Sequence, residues 1–85
     1  MEKKLNVFLV GESGVVKKVE GEGKIRKRLL DMGITPGAEI LLRKKAPLGD
    51  PLEVTLRGYE LTLRKDEAQY VYVEVKDEEV KEERK

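Results

Sequence analysis

The most regular alternation of apolar and polar positions lies between residues 52 and 64. LEVTLR (52–57) and ELTLR (60–64) both alternate, which is typical of strands with one buried face. Gly58-Tyr59 between them is a two-residue connection with glycine first, which favours a type II′ hairpin turn. Counting back from that turn places complementary residues opposite each other: Leu56–Leu61, Val54–Leu63, Arg57–Glu60, Thr55–Thr62 and Glu53–Arg64. The pattern predicts a hairpin that serves as scaffold.

Three further segments have the period of strands. VVKKVE (15–20) alternates except at Lys17, which predicts a bulge or a half-exposed strand. EILLRKKA (39–46) and YVYVEV (70–75) alternate more regularly, with branched aliphatic residues on one face. LNVFLV (5–10) fits either a short strand or one packed turn, and the pattern does not decide between them.

A helical period replaces the strand period in residues 23–32. Three apolar residues lie at spacing i, i+4, i+7 and form one stripe: Ile25, Leu29 and Met32. Gly33 follows at once, as a left-handed helix end requires. Leu30 lies well off the stripe, so either the buried face is wide or Leu30 is presented to a partner.

Loops separate these elements. Pro36-Gly37 fits a type II turn, and PLGDP (47–51) holds two prolines that exclude it from the middle of a sheet. KDEAQ (65–69) is polar and long enough for one helical turn. The order predicts a mainly β fold, a small barrel of about five antiparallel strands with one short helix after the first strand. We expect a domain at 1–75 and a charged, flexible tail at 76–85.

The composition restricts the possible chemistry of the protein more than it restricts the possible folds. The chain has 85 residues, of which 41% are charged, and 18 basic residues against 17 acidic ones give a net charge of +1. It has no cysteine and no histidine. This excludes disulfides, catalysis by a thiolate or an imidazole, and metal sites built from either of these two groups. We therefore expect no enzymatic activity and no cofactor. The first apolar run is too short for a signal peptide or a membrane span, so we expect a cytoplasmic protein.

Two charged or glycine-rich features suggest other functions and fit them poorly. GEGK (21–24) lacks the first glycine and the Ser/Thr of a phosphate-binding loop. Two basic clusters suggest a nucleic-acid-binding barrel, although acidic residues are interspersed: Lys24, Arg26, Lys27 and Arg28, and then Arg43, Lys44 and Lys45. We keep nucleic-acid binding and a metal-binding regulator or iron carrier as alternatives, and expect neither a nucleic-acid partner nor a dedicated metal site.

Three blocks in order resemble the FeoA family, ferrous iron transport protein A: LLDMGITPG (29–37), APLGDPLEV (46–54) and RGYELTLRKDEA (57–68). The resemblance covers about residues 5–75 and implies an SH3-like barrel. It also implies a cytosolic, non-enzymatic accessory protein of the membrane ferrous-iron transporter FeoB, which has a cytosolic GTP-binding domain. No catalytic or metal-binding residues carry over from the family. The resemblance therefore suggests a module that supports or regulates Fe(II) uptake by protein–protein contact.

Small barrels bind partners through loops and helix edges, and these places hold our candidate partner-binding residues: Arg28, Leu30, Met32, Leu48, Gly49, Asp50 and Tyr59. We expect them to contact FeoB, at its GTP-binding domain or elsewhere on its cytosolic face. Such contact would bring the protein to the periphery of the inner membrane. We keep a weak homo-oligomer as an alternative, with the contact formed by exposed strand edges or by the Tyr70/Tyr72 face.

Overall fold

A computed structural model of the protein describes residues 1–76, so most of the predicted tail lies outside the described residues. Within them the chain forms six strands, two α-helices and one 3₁₀ helix. In chain order these are β1 Glu2–Lys4, the 3₁₀ helix Leu5–Val7, β2 Ser13–Val19, α1 Gly23–Asp31, β3 Glu39–Lys45, β4 Leu52–Leu56, β5 Tyr59–Leu63, α2 Lys65–Ala68 and β6 Val71–Val75.

The strands form a single antiparallel sheet in the order β1-β6-β2-β3-β4-β5, curled around one core as a small barrel. The predicted mainly β class is confirmed, but the strand count and helix position need correction. Strand β1 has the sequence EKK, which carries no apolar alternation, and it forms because it pairs along β6. Helix α1 therefore follows the second strand rather than the first, and α2 is a second, four-residue helix.

The core is aliphatic and contains a single aromatic ring. Leu5 of the 3₁₀ helix and Phe8, which follows that helix, are fully buried, and Leu29 reaches the same core from α1. The intervening Val7 and the following Leu9 are exposed, so residues 5–10 form a packed turn rather than a strand. Among residues 1–76 we find no helix with the length and apolar character needed to span a bilayer.

The hairpin register differs from the predicted one by two residues. The turn is Arg57-Gly58, with φ of 50° and 89°, which is the positive-φ pair of a type I′ turn. Strand β4 consequently pairs with β5 as Leu56–Tyr59, Thr55–Glu60, Val54–Leu61, Glu53–Thr62 and Leu52–Leu63. A two-residue shift keeps every side chain on its predicted face, because side chains alternate with a period of two. The faces were predicted correctly and the pairs were wrong.

The other local predictions agree with the structure. The pairing of β2 with β6 shifts between Val16 and Lys18, which is the predicted bulge. Gly33 has φ of 97° at the end of α1. Gly37 has φ of 95°, and the Ala38 N–H donates to the Thr35 carbonyl oxygen at 3.0 Å, as in a type II turn.

Two close contacts fix the start of β2. Strand β6 approaches Gly14 so closely that a Cβ there would overlap the Glu74 carbonyl oxygen. Just before it, the Glu12 carboxylate is buried and accepts hydrogen bonds from Lys3 Nζ and the Leu9 N–H, both at 2.7 Å. This carboxylate ties the loop between the 3₁₀ helix and β2 to strand β1.

Candidate partner-binding face

The C-terminal part of helix α1 is attached to strand β5, the last strand of the sheet, and to helix α2. Near the start of β5, the Tyr59 hydroxyl donates to the Met32 carbonyl oxygen at 3.2 Å. Beyond its other end, Arg28 Nε lies 2.9 Å from Glu67 Oε2. We call the surface formed by residues 28–32, strand β5 and the loop 47–51 the α1–β5 face.

Strand β5 has a free edge. The sheet order ends at β5, and within residues 1–76 no further strand pairs with it. In a two-residue hairpin the pair beside the turn, here Leu56–Tyr59, is the hydrogen-bonded kind, and bonded and non-bonded pairs then alternate. The backbone N–H and C=O groups of Glu60 and Thr62 therefore point away from β4. They offer hydrogen bonds to a strand arriving from outside.

A cleft opens at the far end of this face. It is lined by Arg28, Asp50, Pro51, Thr62, Arg64 and Glu67. Its two carboxylates are already engaged, since Asp50 Oδ1 accepts the Lys65 N–H at 2.9 Å and Glu67 Oε1 accepts the Arg64 N–H at 3.0 Å. The Arg28 side chain stays 61% exposed beside Glu67. The cleft therefore presents guanidinium groups over carboxylates that have internal partners.

The structure brings the predicted partner-binding residues into two groups on one face. Arg28 and Asp50 line the same cleft, and Met32 lies against Tyr59 at the opposite end. Leu48 is 90% exposed at the corner of its loop, which is closed by the Gly49 N–H donating to the Ala46 carbonyl at 2.7 Å. Whether these residues contact a partner stays a prediction.

The packing of Leu30 shows how wide the buried face of helix α1 is. It is partly buried and packs against the core, as Met32 does, so the buried face of α1 is wide. Sequence reasoning missed Thr62, Arg64 and Glu67, which complete the cleft. The one available signal was Glu67, three residues after Arg64, which is the spacing at which a glutamate can accept the backbone N–H of a helix N-cap residue.

The charged residues that suggested nucleic-acid binding or metal binding lie on several different elements of the described chain. Several side chains of the basic clusters have protein partners: Lys27 pairs with Asp31 at 3.2 Å, Arg43 with Glu60 at 3.6 Å, and Arg26 Nε donates to the Val19 carbonyl at 3.3 Å. On strand β2, Lys18 lies over the Tyr72 ring of β6, and its hydrogen bond to Glu20 raises the pKa of Lys18. Among residues 1–76 no three acidic side chains converge as a metal site.

The Tyr59–Met32 hydrogen bond allows a test of how firmly α1 is held to β5. We expect Tyr59→Phe to lower the free energy of unfolding by about 0.5–1 kcal/mol, because one carbonyl near the helix end loses its donor while the ring stays in place. Urea denaturation measures the loss. Tyr72→Phe is the matched control and should change stability little. A Tyr59→Phe protein as stable as this control would show that the contact does not hold the helix.

Comparison with known proteins supports the family suggested by the sequence. The sequence model of the FeoA domain family matches residues 3–75. A fusion of Fe(2+) transport protein A with the Fe(2+) transporter FeoB, from Porphyromonas gingivalis, is 36% identical over 72 residues. That match covers 85% of this chain but only 8% of the fusion protein.

Two solved structures share the fold. A FeoA-like protein from Clostridium acetobutylicum is 43% identical, with a TM-score of 0.81, over 87% of this chain and 86% of that one. The zinc complex of FeoA from Stenotrophomonas maltophilia, described as a prokaryotic SH3 domain protein, is 31% identical with a TM-score of 0.72. Its match covers 87% of this chain and 89% of that one. The SH3-like barrel expected from the resemblance is confirmed.

Proposed function

The chain belongs to the FeoA family, and from this premise we propose that it takes part in ferrous-iron transport as a non-enzymatic accessory protein that docks on FeoB. The docking site on the transporter is its GTP-binding domain or another part of its cytosolic face. Contact there supports or regulates Fe(II) uptake without chemistry on the part of this protein. The protein itself is cytoplasmic and reaches the membrane through its partner.

The observation that carries this proposal is the fusion relative. In Porphyromonas gingivalis a domain 36% identical to this chain is joined covalently to FeoB. Joining two domains raises the effective concentration of each around the other, which benefits domains that act while in contact. When this protein and FeoB are separate chains, a binding surface on each has to hold them together.

The α1–β5 face is the surface we assign to that contact. The free backbone groups of Glu60 and Thr62 suit a partner strand, which is a common way in which sheet edges bind peptides. Arg28 and Arg64 beside the edge suit carboxylates on the partner, with geometry fixed by the guanidinium plane. Leu48 adds a protruding apolar side chain at one end, with 90% of its surface available for burial.

We expect Leu48→Asp to weaken docking about tenfold or more while leaving the fold intact, because a charged side chain replaces an apolar contact. The measurement is titration of the labelled protein onto purified, detergent-solubilised FeoB. Val10→Asp is the matched control, since Val10 is also exposed and aliphatic but lies outside the α1–β5 face. Equal affinity of wild type and Leu48→Asp would remove Leu48 from the interface. No binding of wild type at all would refute the docking proposal.

A further inference from the structure

A second open cavity lies on the outer face of the sheet and shares no residue with the α1–β5 face. It has a volume of about 250 Å³ and extends over strands β2, β3 and β4 to the hairpin turn and to Lys76, just after β6. Ser13, Leu41 and Thr55 lie side by side on adjacent strands, and the residues on either side of Leu41 and Thr55 point into the core. The cavity is therefore on the solvent side of the barrel wall.

Three charged side chains line this cavity: Glu39, Arg57 and Lys76. All three are exposed, and within residues 1–76 none of them forms an ion pair. Arg57 Nη2 donates to Thr35 Oγ1 at 3.0 Å, which holds the guanidinium group and leaves its other N–H groups without an acceptor in the described chain. The cavity thus presents two positive charges and one negative charge that the described residues do not neutralise.

The backbone conformation of Arg57 is one that other residues adopt more easily. Its φ is 50°, in the first place of a type I′ turn, where asparagine, aspartate and glycine are preferred. Arginine is strained in this left-handed conformation, whereas a short polar side chain such as that of asparagine tolerates it. Strained positions of this kind are concentrated where a side chain binds a ligand or takes part in catalysis. The strain at Arg57 is therefore a second observation, besides the cavity, in favour of a ligand at this guanidinium group.

The charges around the cavity restrict the class of ligand. A simple anion would bring negative charge beside Glu39, and a simple cation would bring positive charge beside Arg57 and Lys76. A small molecule with two carboxylate groups and one ammonium group is complementary to all three side chains. The volume equals that of about eight water molecules, since each occupies about 30 Å³ in the liquid, so the ligand has to be small.

We propose that this cavity binds a small zwitterion with an excess of negative charge, of the class of an acidic amino acid. Its carboxylates bind Arg57 and Lys76, with the guanidinium plane fixing the orientation of one of them. Its ammonium group binds Glu39, and the Ser13 hydroxyl, which also lines the cavity, donates to a carboxylate oxygen. Binding is weak, about millimolar, because all three charged side chains are exposed and exposed ion pairs contribute little.

The test is a titration of the ¹⁵N-labelled full chain, followed by NMR at constant ionic strength, with three probes. L-Glutamate carries all three charges, succinate lacks the ammonium group, and L-alanine lacks the second carboxylate. We expect glutamate to shift the amide resonances of Gly14 and Gly58, which line the cavity, and to leave those of helix α1 in place. Succinate and alanine should bind about threefold to fivefold more weakly, which is the contribution of one exposed ion pair.

Three variants assign the charges of the ligand to side chains. Arg57→Asn should weaken glutamate binding about fivefold and leave the fold intact, because Asn-Gly is a preferred pair for a type I′ turn. Lys44→Gln is the matched control, since it removes an exposed positive charge from β3 outside the cavity and should bind glutamate like wild type. Glu39→Gln should bind glutamate and succinate equally well, because the side chain that distinguishes them is gone.

The proposal is overturned if wild type binds succinate as tightly as glutamate, or if Arg57→Asn binds glutamate as tightly as wild type. Shifts that are spread over the whole surface and do not saturate would also overturn it, since they show that there is no site. None of these results affects the docking proposal, which concerns a different face and is measured with FeoB.

Discussion

Gly14→Ala should destabilise the domain by about 3 kcal/mol, the largest effect we expect from so small a change. The added Cβ would overlap the Glu74 carbonyl oxygen and press on a Val73 methyl group. Both obstacles belong to β6, which pairs with β2 in the middle of the sheet. The strands must separate to admit one methyl group, and the ladder hydrogen bonds around Gly14 weaken with them. Thermal unfolding should show a midpoint lowered by about 12 °C or more.

Gly23→Ala is the control that separates this overlap from the general cost of replacing glycine. Gly23 has φ of 51°, and a Cβ added there would have no atom within 4 Å, so its replacement costs only backbone strain, about 1–2 kcal/mol. Gly14 has no positive φ, so its whole cost comes from the close approach of β6. Should Gly14→Ala prove the milder of the two changes, the strands are not as close as the structure indicates.

Glu12→Ala should be the second most damaging change, with a loss of about 2–3 kcal/mol. Its carboxylate is 6% exposed and its Lys3 partner 20% exposed, so removing the acid leaves a largely buried ammonium group without its counter-charge. The Leu9 N–H loses its acceptor at the same time. Because Lys3 retains some contact with water, the loss should fall below that of a fully buried pair. Urea denaturation at neutral pH measures it.

A double-mutant cycle isolates the ion pair from the rest of this effect. Lys3→Met alone, Glu12→Leu alone and the double variant are compared with wild type. We expect each single change to be destabilising and the double change to recover part of the loss, because an apolar pair replaces two charges. A coupling energy near zero would mean that the Leu9 hydrogen bond, and not Lys3, makes Glu12 important.

Local patterns predicted most of the elements. The α1 stripe, the two positive-φ glycines at 33 and 37, and the β2 bulge each follow from a few adjacent residues. Strand β1 could not be found in this way, because EKK has no pattern and depends on β6 for its pairing. The hairpin turn failed for a different reason: glycine fits the first place of one turn type and the second place of another, and the positive φ of Arg57 leaves no mark in the sequence.

The α1–β5 face likewise depends on contacts between residues that are far apart in the sequence, which local patterns do not predict. Arg28 and Asp50 were singled out separately, and only the fold shows that they share a cleft with Glu67. The packing of Leu30 followed from a wide buried face that sequence left as one of two alternatives. Residues 5–10 were ambiguous because apolar residues usually point inward, whereas Leu9 and Val10 point outward and disturb either period.

The position of β6 in the sheet affects when the sheet can form during folding. This strand, the last in the described chain, lies between β1 and β2, which are the first two. While the ribosome is still adding residues, the leading strands therefore lack the neighbour that completes their hydrogen bonds. The sheet closes only when Val71–Val75 has emerged, through pairings that span nearly the whole chain. Such non-local pairing makes folding slow relative to helical domains of the same size.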